Sequence, residues 1–252
     1  MKAQLVIGVV AALFVLGGSV SAQVVATGSA LPAARAAYDQ RADPARAAVA
    51  FELFRKAARE DARAWEPRWE GARAAYYLGS YARAAAGDAE KMAIFTTGIG
   101  LAKEAIALKT RGAEGHFWLG VLWAVYGEAK GIFKSLSLVP TVKSEMQACL
   151  EIDPAVEGWG PDRTLGRVYF KLPFFKGGDN AKSIEHLERS LRGAPTNALT
   201  MLYLAETLRS DGRRPEAIKL LRQIVTMAPD PRWVAEHAWI KAQAEKLLRK
   251  LE

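Results

Sequence analysis

Residues 197–229 read NALTMLYLAETLRSDGRRPEAIKLLRQIVTMAP, and their spacing decides the fold. Leu204-Ala205 are followed by Leu208, Gly212, Ala217, Leu221, Ile224 and Pro229. These offsets fit a helix–turn–helix unit of about 34 residues of the kind that stacks into solenoids. The small residue lets two helices approach closely. The glycine ends the first helix, and the proline follows the second.

The same signature recurs upstream. In LGRVYFKLPFFKGGDNAKSIEHL, Leu165-Gly166 and Tyr169 stand where Leu204-Ala205 and Leu208 stand, while Ser183, Leu187, Ser190 and Pro195 match Ala217, Leu221, Ile224 and Pro229. Gly166 to Ser183 spans 17 positions where Ala205 to Ala217 spans 12, so KLPFFKGGDN carries an insertion between the two helices. Pro173 stops the first helix, and Asp179 or Asn180 caps the second. The paired glycines follow no strand and no GxxxxGK[ST] motif exists, which argues against a phosphate loop. Further back, Leu119-Gly120 and Trp123 pair with Val142, Met146, Cys149 and Pro154, across a longer insertion around AKGIFKSLSL. Trp69, Ala72 and Tyr76 mark another first helix, with Gly100–Leu108 as its partner. Pro44–Asp61 is amphipathic, aligning Ala50, Phe54 and Ala57, and Pro231–Leu251 reads as a closing helix. The spacing predicts an all-α fold. It is a tetratricopeptide-repeat-like, right-handed α-solenoid of about five helix pairs plus a C-terminal closing helix, filling residues 34–252 as one domain.

Composition agrees. Half of the 252 residues are hydrophobic, enough for one extended core, and strand-type runs are scarce after residue 30. The net charge of +8 is scattered among acids rather than massed, so a solvated helical surface is expected and no nucleic-acid partner. Ahead of the repeats, Lys2 precedes the apolar run Leu5–Leu16, and Val20 and Ala22 stand where a signal peptidase reads. Residues 1–22 are therefore expected to be a secretory signal, with no lipid-accepting cysteine after it, and 23–33 a flexible segment. The mature protein is expected to be soluble in the periplasm or secreted. Cys149 is the lone cysteine, and His116, His186 and His237 lie far apart. That excludes an intrachain disulfide and offers neither metal spacing nor a nucleophile motif, so no metal, cofactor or enzymatic activity is expected.

The series GIGLAKEAIAL (98–108), GHFWLG (115–120), LEIDP (150–154) and GPDRTLGRVYFKLPFFKGGDNAKSIEHLERSL (160–191) resembles the T-component of TRAP transporters, the TatT family, over roughly residues 36–230. The resemblance implies a periplasmic helical-repeat protein that associates with a TRAP-type substrate-binding protein, around a pore or cavity that passes apolar organic acids. Members of that family are often lipoproteins, and this chain departs from them in having no lipidation cysteine. The eukaryotic regulator of microtubule dynamics family has similar repeats, and the bacterial-type export signal argues against it. A protein-interaction scaffold of an envelope complex is the alternative function, and the oligomeric state stays open.

In this repeat class the first helix of each pair lines the concave face. Counting from each signature, the expected groove positions are Phe117, Val121, Ala124 and Val125, then Arg163, Arg167, Phe170 and Lys171, then Leu199, Leu202, Glu206 and Arg209. Counted from Trp69 they are Glu70, Ala74, Tyr77 and Leu78. Phe174 and Phe175 of the insertion are expected over the solenoid or at the mouth of its cavity. An apolar wall beside three cations suits a hydrophobic carboxylate. Against this, the cations could instead pair with Asp162, Glu185 or Glu206.

Overall fold

The computed structural model describes residues 29–252, so the expected signal over 1–22 lies outside the described residues. Helix α1 (Ala30–Asp39) begins within the stretch expected to be flexible. Ser29 caps it by accepting the Leu31 N–H, and Ala30, Ala34, Ala37 and Tyr38 bury one face, which is enough to order the end of that segment. It packs on α2 (Pro44–Glu60), capped by Asp43 with Pro44 in the first turn.

Four more antiparallel pairs follow. They are α3 (Glu66–Tyr77) with α4 (Asp88–Leu108), α5 (Ala113–Lys130) with α6 (Val139–Ile152), α7 (Val156–Lys171) with α8 (Asn180–Gly193), and α9 (Ala198–Ser210) with α10 (Arg214–Thr226). Helix α11 (Val234–Leu248) closes the array against α9 and α10. The described residues contain no strand. Five pairs and a closing helix make an α-solenoid of the expected plan.

The small positions of the repeat do what the spacing requires. A Cβ at Gly166 would come 2.6 Å from Leu187 Cγ, and one at Gly120 would come 2.4 Å from the end of Met146. Only glycine lets α7 and α8, or α5 and α6, approach so closely. Leu187 and Met146 are fully buried there, as are Leu221 and Ile224 of α10, each contributing ~1.5–3 kcal/mol through burial. Cys149 is also fully buried, its Sγ 3.4 Å from the Ala113 carbonyl, and burial pushes its thiol up. Between α8 and α9 the seam is polar. Ser183 bonds Thr207 at 3.1 Å and Ser190 bonds Thr200 at 3.2 Å, all four side chains being shut off from solvent.

Both expected insertions are present as short 3-10 turns, Ile132–Leu138 after α5 and Phe174–Lys176 after α7. In the second, Gly177 takes φ +88°, and a Cβ at Gly178 would sit 1.9 Å from the Leu172 carbonyl oxygen. Asp179 then caps α8 through the Lys182 N–H. After α3 the chain winds one π-turn, Leu78–Ala82, closed by Arg83 N–H to the Leu78 carbonyl at 2.8 Å.

The two ends of the solenoid meet. Arg41, just after α1, donates to both carboxylate oxygens of Glu236 at 3.1 Å and to the Arg232 carbonyl at 3.1 Å. Trp239 of α11 stands edge-on to Tyr81 of the π-turn, ring centroids 5.3 Å apart. This clasp narrows an open concave face into a partly open cavity.

Candidate functional site

The cavity measures about 890 Å³ and is walled by the first helices, α3, α5, α7 and α9, with the N-terminal half of α11 as its cover. Helix α5 presents Phe117, Val121, Ala124 and Val125, the apolar wall read from the sequence. Arg163 and Arg167 of α7 line it too, with Leu199 of α9. Phe170 and Lys171 do not; they lie one turn further on, in a smaller pocket of about 280 Å³ with Glu206 and Arg209. Leu202 is buried in the core.

Two further expectations fail. On α3 the cavity face is Trp69, Arg73 and Tyr76, while Glu70, Ala74, Tyr77 and Leu78 are buried on the other side. Tyr77 is a core residue, stacked on Tyr81 at 5.3 Å and edge-on to Tyr38 at 6.2 Å. The π-turn adds a residue to the helical count and brings Tyr81 round to the cavity, which no 3.6-residue count anticipates. Phe174 and Phe175 are 91% and 72% exposed and reach neither cavity nor core, because the tight glycine turn projects them outward.

The arginines are not equivalent. Arg167 forms an ion pair with Glu206 and lies 4.2 Å over the Tyr203 ring. Lys171 pairs with Glu128 at 3.8 Å. Arg163 makes no ion pair among the described residues, and burial lowers its pKa. Its guanidinium donates to the carbonyls of Gly158 at 3.0 Å and Glu157 at 3.1 Å. Those carbonyls belong to a left-handed turn at the start of α7, where Glu157, Gly158 and Trp159 have φ of 51°, 65° and 57°. Left-handed backbone costs a non-glycine residue ~1–2 kcal/mol, so Arg163 supports a strained segment. Ser190 Oγ adds a bond to the Trp159 carbonyl at 2.9 Å.

That turn holds Glu157 at the cavity wall. Burial pushes its carboxyl up from its ordinary value, while Arg73, Arg163 and the Trp118 indole pull the other way. Opposite, Arg73 is sandwiched 4.5 Å from the Tyr38 ring and 5.0 Å from Trp69, its nearest carboxylate being Glu70 at 3.8 Å. The Nε–H of Arg73 and the indole N–H of Trp69 are both buried without an acceptor among the described residues. Sequence reasoning missed Arg73, Tyr81, Glu157 and the cover residues. The signal for Arg73 was present: Trp69, Arg73 and Tyr76 follow i, i+4, i+7 spacing. The described residues hold no cluster of potential metal ligands.

Stacked helix pairs curled round a ligand-sized cavity define a tetratricopeptide-type helical-repeat protein. Residues 174–240 match the Tetratricopeptide repeat model, and residues 31–157, half of the chain, match that of Regulator of microtubule dynamics protein 1-3. The chain therefore belongs to the regulator of microtubule dynamics family, which the export signal expected over residues 1–22 had weighed against. The TRAP T-component is not the family that these matches show. Among solved structures, a thermophilic tetratricopeptide protein of Thermus thermophilus is similar, with a TM-score of 0.63 over 86% of this chain and 97% of that one. At 19% identity that likeness speaks for the fold alone. No curated protein matches.

Proposed function

We propose that the protein is a non-enzymatic binding module that holds an amphiphilic organic acid in its central cavity and works with a protein partner. The observation that carries this reading is the pair of buried, unanswered donors on adjacent turns of α3, Arg73 Nε–H and Trp69 Nε1–H. An unmet buried donor costs ~1–3 kcal/mol, and a ligand oxygen that reached either of them would offset that cost. The apolar body of such a ligand would lie along Phe117, Val121 and Val125. Arg163 and Arg167 contribute less to recognition than their position suggests, since one is spent on backbone carbonyls and the other on Glu206.

Export and a TRAP-type substrate-binding protein as partner are the finer part of the proposal. They rest on the Lys2–Ala22 pattern and on the 160–191 resemblance. The repeat fold itself favours the second reading, a scaffold for protein partners without a transport role. The family name points to partners concerned with microtubule dynamics.

Calorimetric titration with hexadecanoate tests the cavity. Arg73→Gln should weaken binding roughly ten- to a hundredfold with unchanged circular dichroism, as expected for losing a charged hydrogen bond. Equal affinity in the variant, or no binding by the wild type, would sink the ligand reading and leave the scaffold.

A further inference from the structure

The two inter-helix insertions are not part of the cavity, and their composition is unusual. Residues 130–138 read KGIFKSLSL and 171–178 read KLPFFKGG: four lysines, three phenylalanines and no acidic residue. Phe133, Phe174 and Phe175 are 68%, 91% and 72% exposed, the three most exposed large apolar side chains among the described residues. Lys130, Lys134, Lys171 and Lys176 are exposed as well. The Lys171–Glu128 pair ties the ends of α5 and α7 together just before each turn, so the two turns leave the solenoid side by side.

Neither turn is loose. Ser135 Oγ donates to the carbonyls of Gly127 and Gly131, both at 2.8 Å, and the Gly178 N–H closes the second turn on the Pro173 carbonyl at 3.0 Å. Rigid tips thus hold aromatic rings out in water with lysines about them; Lys176 Nζ lies 6.0 Å from the Phe175 ring centre. Rings that enter the headgroup region while neighbouring ammonium groups meet phosphates are how peripheral segments bind a charged bilayer.

We propose that the edge carrying Phe133, Phe174 and Phe175 docks on an anionic lipid bilayer, with Lys130, Lys134 and Lys176 on its phosphates. No ligand in the cavity is required. The full chain carrying Phe174→Cys takes an environment-sensitive NBD label at that position, since Cys149 is buried and its thiol pushed up. Vesicles of phosphatidylcholine alone are compared with an equal mixture of phosphatidylcholine and phosphatidylglycerol. Only the anionic vesicles should brighten and blue-shift the label, and added salt should reduce the effect. Adding Phe133→Ser, Phe175→Ser, Lys134→Glu and Lys176→Glu should weaken the apparent vesicle affinity at least roughly tenfold. All four positions are exposed, and circular dichroism checks that the variant is folded. An unchanged label, an equal response to neutral vesicles, or a response kept in the quadruple variant overturns the proposal. So does the same spectral change appearing on self-association without lipid, which would make the edge a contact between copies.

Discussion

Arg163 shows how a residue can sit at a site and still serve the scaffold. Its two bonds hold the carbonyls of a left-handed turn, and hydrogen bonds from charged groups are worth ~1.5–3 kcal/mol. Arg163→Gln should therefore lower the melting temperature by about 5–10 °C in a scanning calorimeter, at roughly 2–4 °C per kcal/mol for a chain this size. Arg167→Gln, which unpairs Glu206 and takes the guanidinium off the Tyr203 ring at the cavity's edge, should cost less. Asp162 sets a pH limit of its own. Burial pushes its carboxyl up, but hydrogen bonds from His186 at 2.7 Å and Arg189 at 3.0 Å outweigh that and hold it below its ordinary value. A depressed carboxylate stabilises the fold above its unfolded pKa and loses that contribution as pH falls through the folded one. Stability should thus fall off below about pH 4, where an unfolded Asp takes up its proton, and Asp162→Asn should flatten that acid limb in urea titrations at successive pH values.

At the level of elements, the helix pairs were legible because their register is written in small residues. Gly120, Gly166 and Ala205 mark where two helices touch, and counting from them placed Phe117, Val121, Arg163 and Arg167 on the cavity wall. Counting failed on α3 because its register was set one position off: Trp69 itself faces the cavity with Arg73 and Tyr76, and only the later arrival of Tyr81 is owed to the π-turn after Tyr77. Phe174 and Phe175 were misplaced for a different reason: they were expected over the solenoid or at the mouth of its cavity, yet the turn that ends in the glycine pair leaves them pointing into solvent. That pair also separates two kinds of glycine. Gly177 is needed for its positive φ, which alanine adopts at ~1 kcal/mol. Gly178 is needed because a methyl group would strike the Leu172 carbonyl oxygen, a backbone atom that cannot swing away. Gly178→Ala should accordingly lower thermal stability more than Gly177→Ala does, and shift amide resonances throughout 172–180.

For the molecule as a whole, the contacts that sequence periodicity cannot reveal are those joining its ends. Arg41 and Glu236 lie 195 positions apart, and nothing local in either stretch announces the other. Cutting this clasp with Glu236→Gln and Trp239→Ala should leave helix content intact. It should raise hydrogen exchange in residues 30–41 and 231–248 and enlarge the radius of gyration in solution scattering. Unchanged exchange at both ends would show the cover to be held by α9 and α10 alone. A stack of nearest-neighbour repeats ordinarily folds and frays one unit at a time. The clasp converts that line into a loop whose last link closes only after both termini have formed, the kind of distant contact that is made late. The cavity then takes its final shape at the last step of folding and is the first thing lost when either end loosens, so a ligand that bridged α3 and the cover would hold the two ends of the solenoid together.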